Sequence, residues 1–235
     1  MCRMILAHGR FEVAAVMDAA RAMSCGETAC HDGPIREHPN GWGCLWRDKG
    51  RIRTLHGTGT FAAALPDIDL TAIHTDFLSV HVRHATLSKN QGIEFSHPLR
   101  RASGATEWHM MHNGFLPTLY VQLGLAESRF DSEEYLAYLV DRITPADFTR
   151  DYLRSKMAQV APGGSAGNAI IVTPEKAWAW QWYPDDTPYP DYFTMQLCQQ
   201  HGSTFIASEQ IPALGEASTW RRMRNHELHE IPFGE

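Results

Sequence analysis

The sequence predicts an α+β protein built on antiparallel sheets. Three observations lead there. Many short stretches alternate apolar and polar residues and read as hairpin strands. Stretches with apolar residues at helical spacing are few, and they fall in two groups, 11–23 and 131–159, rather than one between each pair of strands. The 235 residues show no internal repeat, low-complexity tract or Gly/Ser linker, so one domain over 1–235 is expected.

The elements follow in order. Arg3–Ala7 is a short apolar run and reads as a strand. Phe11–Met23 is Ala-rich with helical spacing. Cys25–Gly43 is rich in Gly, His and Pro and reads as a loop. Gly41–Arg47 and Arg51–His56 form a strand pair, with Lys49 and Gly50 as the residues that can close its turn. Phe77–His84 and Glu107–Leu116 read as further strands. Asp131–Ile143 is a helix that Asp131 or Ser132 can cap, with Glu134 completing a capping box with Asp131. Pro145–Gln159 is a second helix. Asn168–Thr173, Ala177–Trp182, Phe193–Leu197 and Thr204–Ala207 are short strands, and the Pro/Asp-rich Tyr183–Tyr192 is a loop between them.

Composition excludes several classes of function. Hydrophobic residues make up 43% and charged residues 20%, as in ordinary globular proteins. The net charge is −6, and no basic stripe offers a nucleic-acid footprint. No apolar run is long enough to span a bilayer. The N-terminus, MCRMILAHGRFEVAAV, has an apolar run cut by His8 and Gly9 and lacks a small-residue cleavage site, so it is not a secretory signal. The 5 cysteines are then expected to be reduced thiols in the cytoplasm.

The 13 histidines raise the question of a metal. His81 and His84 are three apart, as are His109 and His112, but residues three apart on a strand face opposite sides. Cys25, Cys30 and His31 are spaced too loosely for a zinc knuckle. Neither a metal nor another cofactor is expected. Cys25, Cys30, Cys44 and Cys198 read as core or loop thiols. Trp178, Trp180 and Trp182 read as a packed strand face, Arg221, Arg222 and Arg224 as a solvated run, and Glu209 as structural.

Cys2 differs from the other thiols. Removal of the initiator Met is usual when the next residue is small, and it would place a thiol and a free α-amine on one residue. Such an amine titrates near about 7.7–8.0 and can act as general base for its own side chain. Behind Cys2 come HPNGWG at 38–43, VRHAT at 82–86, SHPL at 96–99, HNG at 112–114, DSEE at 131–134 and ASEQI at 207–211. Each is common alone; their order and spacing behind a cysteine at position two form a joint signal.

With these motifs the chain resembles the class II glutamine amidotransferases, N-terminal-nucleophile hydrolases, and in particular the small stand-alone members without a synthase domain. The resemblance implies a four-layer αββα sandwich of two antiparallel sheets. It implies Cys2 as the nucleophile that forms a γ-glutamyl thioester and releases ammonia. Asn113, through its side-chain amide, and Gly114, through its backbone N–H, match the oxyanion hole; one such donor is worth roughly 2.7–4 kcal/mol of barrier. Arg83 matches the residue that binds the substrate α-carboxylate, a bidentate task that suits guanidinium. Asp131 matches the partner of the α-ammonium, and Thr86 and His97 match positions lining the pocket. Asn40, Gly41 and Trp42 resemble the flap over glutamine. One departure is His84, where the family often has Trp.

The expected activity is cleavage of a γ-glutamyl amide, glutamine first. Two versions stand: a partner synthase receives the ammonia, or the chain is a plain hydrolase of glutamine, a γ-glutamyl peptide or a γ-glutamyl amine. A third reading, a non-catalytic binding protein of the same fold, conflicts with the intact set Cys2, Arg83, Asn113, Gly114 and Asp131.

Overall fold

The computed structural model describes residues 1–31, 33–87 and 90–234. The chain divides into two compact units. One comprises Met1–Pro98 and Pro188–Met223, the other Leu99–Thr187 and Arg224–Glu235. In chain order the strands are β1 (Arg3–Gly9), β2 (Trp42–Asp48), β3 (Arg51–Gly57), β4 (Phe77–Val82), β5 (Leu99–Ser103), β6 (Thr106–Gly114), β7 (Gly167–Val172), β8 (Lys176–Trp180), β9 (Gln196–Gln200), β10 (Ser203–Ala207), β11 (Trp220–Arg222) and β12 (Leu228–Pro232). Each unit holds one antiparallel sheet, so the α+β class with two such sheets is what the sequence predicts.

The first unit carries the order β11-β9-β10-β1-β4-β2-β3. β1 lies inside it, with Ile5 opposite Ala207 on one side and Val80 on the other. Every residue of β1 from Arg3 to Ala7 is buried, so the stretch reads as a continuous run rather than the alternation of a strand with one face in solvent. The helix Val13–Ser24 lays Val16, Met17, Ala20 and Met23 into a core with Ile5, Ala7, Val80 and Val82. A fully buried aliphatic side chain there contributes about 1.5–3 kcal/mol. The hairpin β2–β3 turns at Lys49 and Gly50, where φ is 49° and 75°. Two positive φ values match the right-handed strand twist.

The second unit carries the order β12-β8-β7-β6-β5. Trp108, Trp178 and Trp180 are fully buried and pack with Tyr135, Leu139 and Leu153 from its helical segments and with Phe148 from the loop before Arg150. The tryptophan run is therefore core at 178 and 180.

Several boundaries differ from the sequence reading. The helix Asp131–Val140 ends before Ile143, and its N-cap is Phe130, without a side-chain cap. The Asp131 carboxylate turns instead to the Leu116 N–H, while Glu134 accepts the N–H groups of Arg129 and Phe130. The next helix begins at Arg150 rather than Pro145, because Thr149 caps it by accepting from Tyr152 N–H. The stretch expected as a strand from Phe193 starts as a short helix, Pro190–Phe193, and the strand begins at Gln196. Proline in the first turn favours that helix. Strands β5, β11 and β12 were not among the expected elements. Among the described residues, no helix is long and apolar enough to cross a membrane.

Candidate functional site

In the first unit, Cys2 directly precedes β1 and is 8% exposed. Its Sγ stands 4.0 Å from the His84 carbonyl oxygen. The Met1 amine donates to the same oxygen at 3.0 Å and reaches Thr86 Oγ1 at 3.5 Å. Thr86 thus lies beside the chain start, as does the stretch that follows β4.

That stretch opens with Arg83, which is buried. Its backbone N–H donates to Gly41 O at 2.8 Å, and Asn40 N–H donates to Arg83 O at 2.9 Å. The guanidinium donates through Nη1 to Asn40 O and through Nη2 to Asn90 O. Asn40 Oδ1 accepts Ala85 N–H at 3.0 Å. Arg83 and the 40–41 segment are therefore stitched together by backbone bonds that continue the β2–β4 ladder. Gly41 has φ 127°, and a Cβ there would stand 2.9 Å from Ser96 Oγ. Only glycine suits both the conformation and the space.

Trp42, where the loop reading at 25–43 and the strand reading at 41–47 overlap, opens β2. It is buried, tilted against Phe61 with 5.2 Å between ring centroids, and part of the core. His97 is buried, with its ring 4.2 Å from that of His81. A Cβ on Gly43 would meet the His97 carbonyl oxygen at 1.9 Å, so the 96–98 segment lies tight against β2.

Two groups near Cys2 were not singled out from the sequence. His38 is buried, and neither ring nitrogen has a hydrogen-bond partner among the described residues. Burial, followed by the positive charges of Arg3 and the chain-start amine, pushes its pKa down to about 2, so the ring is neutral. Arg3 is wholly buried and lies face-on over Tyr192. A cationic residue inside an apolar strand was the available signal for it.

In the second unit, Asn113 and Gly114 close β6, opposite Asn168 and Gly167 of β7. Asn113 is completely buried. A Cβ on Gly114 would stand 1.8 Å from Ala166 O, so the backbone there passes where no side chain fits. The His112 ring bridges Ser132 Oγ at 2.9 Å and Ala166 O at 3.3 Å. A carbonyl only accepts, so Nε2 is the donor, and in the neutral ring Nδ1 accepts the Ser132 hydroxyl. Asp131 Oδ2 accepts Leu116 N–H at 2.9 Å. The unit thus gathers Asn113, Gly114 and Asp131 around the end of β6. The bond to Leu116 was not foreseen.

No protein-family model matches the chain, and no curated protein does. Solved structures do. Glutamine phosphoribosylpyrophosphate amidotransferase from B. subtilis superposes with a TM-score of 0.67 at 19% identity, over 98% of this chain and 47% of that one. The chain therefore spans about half the length of that enzyme. A predicted glutamine amidotransferase from Pseudomonas aeruginosa matches at TM-score 0.51 and 16% identity, over 99% and 94% of the two chains. A glutamine aminotransferase class-II domain protein from Silicibacter pomeroyi matches at 0.57 and 12%, over 100% of both. With its two antiparallel sheets, the chain has the fold of the class II glutamine amidotransferase domains, the N-terminal-nucleophile hydrolase fold.

Proposed function

We propose that the whole chain is one glutaminase domain that cleaves a γ-glutamyl amide through Cys2. The observation that carries this is a buried cysteine one residue before the first, inner strand of a class II glutamine amidotransferase fold. With Met1 removed, the Cys2 α-amine takes the thiol proton as Sγ adds to the γ-carbonyl carbon. The Asn113 amide and the Gly114 N–H donate to the oxyanion, which forms only in the transition state and intermediate. On collapse the C–N bond breaks, the amine returns the proton to the leaving nitrogen, and ammonia departs from a γ-glutamyl thioester. Water then adds, the C–S bond breaks, and glutamate and the thiol are restored.

In this reading Arg83 binds the substrate α-carboxylate and Asp131 its α-ammonium, with Thr86 and His97 lining the pocket and Gly41 and Trp42 beside it. A synthase partner receives the ammonia, or none is needed and the chain acts as a hydrolase. The test is a panel of glutamine, γ-glutamyl peptides and γ-glutamyl amines given to the processed protein, with Cys2→Ala as control. A glutamine-like diazoketone is expected to add once, at Cys2. Adducts confined to other cysteines, or turnover by Cys2→Ala, would contradict the reading. If only added cell extract restores ammonia release, the partner-dependent version holds. If a larger γ-glutamyl compound outruns glutamine, the hydrolase version holds.

A further inference from the structure

Arg3 follows the proposed nucleophile, and its side chain is wholly buried. A guanidinium in a core is costly unless its donors are paired. Here Nη1 donates to Tyr192 O at 3.1 Å, and Nη2 lies 2.7 Å from His31 Nε2. Guanidinium only donates, so His31 Nε2 is the acceptor and carries no proton. Nε stands 3.7 Å from Glu209 Oε2, and the Tyr192 ring lies 4.0 Å from Cζ. Glu209 is fixed in turn by Thr28 Oγ1, which donates to Oε1 at 2.6 Å. Burial works against the Arg3 charge, while Tyr192, Glu209 and Cys2 favour it. Three separate stretches of the first unit, at 28–31, 192 and 209, converge on one side chain of β1.

What that side chain holds follows from the strand geometry. β1 begins at Arg3, so Cys2 lies outside the ladder. Chain starts fray unless tied down. Met4 is tied at both backbone groups: its N–H donates to Ser208 Oγ at 2.9 Å, and its carbonyl accepts Ser208 N–H at 3.0 Å. The hydrogen bonds of the Met1 amine to His84 O and Thr86 Oγ1, by contrast, leave with Met1 on processing.

We propose that Arg3 is a positioning residue for Cys2: its buried clamp on Tyr192, His31 and Glu209 fixes the one-residue overhang that carries the thiol. This rests on the reading of Cys2 as nucleophile. The Arg3 side chain is wholly buried among Tyr192, His31 and Glu209, so it acts on the thiol through the backbone without touching substrate. Lysine would keep the charge but lacks the planar fork that spreads two donors toward separate acceptors while its face lies on a ring.

The test compares Arg3→Lys and Glu209→Gln with wild type, all processed, by amide hydrogen exchange, kcat and KM. Arg3→Lys is expected to speed exchange in the N-terminal peptide about tenfold relative to peptides from β4 and β10, as a locally frayed segment does. It should lower kcat about tenfold or more, with KM within about twofold, since misplacement costs rate rather than binding. Glu209→Gln should move both readouts the same way by less. Unchanged exchange at the chain start, an equal rise in all peptides, or an effect on KM alone would overturn the proposal. If Arg3→Lys does not fold, Glu209→Gln decides by the same readouts. Wild-type protein inert toward every γ-glutamyl compound would remove the glutaminase reading, while the exchange data would still decide the clamp.

Discussion

The carboxylate of Asp131 accepts the backbone N–H of Leu116 at 2.9 Å, tying the start of the helix Asp131–Val140 to the chain just past β6. A residue expected to meet substrate therefore also holds the end of the strand that carries Asn113 and Gly114. The two tasks separate by substitution. Asp131→Asn keeps an acceptor for the N–H, so stability should change little while KM for glutamine rises about tenfold or more. Asp131→Ala leaves Leu116 N–H buried and unpaired, at a cost of about 1–3 kcal/mol. Urea unfolding midpoints check the difference; equal losses for Asn and Ala would show that the acceptor bond is not what stabilises the site.

Gly114→Ala is expected to be damaging, because its Cβ would stand 1.8 Å from Ala166 O, a backbone atom. Overpacking of this kind costs about 1–3 kcal/mol or more, and the displaced N–H would remove activity. Gly234→Ala, whose Cβ meets nothing within 4 Å, serves as control and should stay within about 0.5 kcal/mol of wild type. Thermal melts and glutamine turnover on both variants decide this.

Stability should fall in mild acid. His38 has a folded pKa pushed from 6.5 to about 2, first by burial. The unfolded state therefore takes up the proton first. Its contribution is fully present above about pH 6.5 and is lost as pH drops toward the folded value. His8, His84 and His226 are lowered too, each first by burial, and act with the same sign. His38→Gln should flatten the decline between about pH 6.5 and 4. Denaturation midpoints across that range give the slope; identical slopes would place the proton uptake elsewhere.

The thiols other than Cys2 should sort by burial. Burial pushes Cys44 up to about 12, so near about pH 8 it is almost wholly protonated and unreactive. Cys25 and Cys30 are exposed. Iodoacetamide on folded protein should therefore modify Cys25 and Cys30 and spare Cys44 until denaturant is added. Peptide mass mapping reads the pattern, and early labelling of Cys44 would refute its burial.

How much of this was legible in the sequence depends on what each feature needed. The β2–β3 hairpin was readable because its signal is local, in the Lys49-Gly50 pair. The helix ends were not: Thr149 displaced Pro145 as the start signal, and Asp131 was drawn from its capping role by Leu116, a partner outside the helix. Gly41 and Gly43, on either side of Trp42, fall where the loop reading at 25–43 and the strand reading at 41–47 overlap. Those glycines instead mark close approaches to Ser96 and to the His97 carbonyl. Arg3 and His38 were passed over because a buried charge or imidazole declares itself only through neighbours distant in sequence, here Tyr192 and Glu209 for Arg3.

The central claim, that a free amine on Cys2 drives amide cleavage, is tested most directly by pairing intact mass with turnover. Protein whose mass shows Met1 removed is expected to release glutamate from its γ-glutamyl substrate, and protein that retains Met1 to be inactive while folded alike. Equal turnover by the two forms would contradict the account.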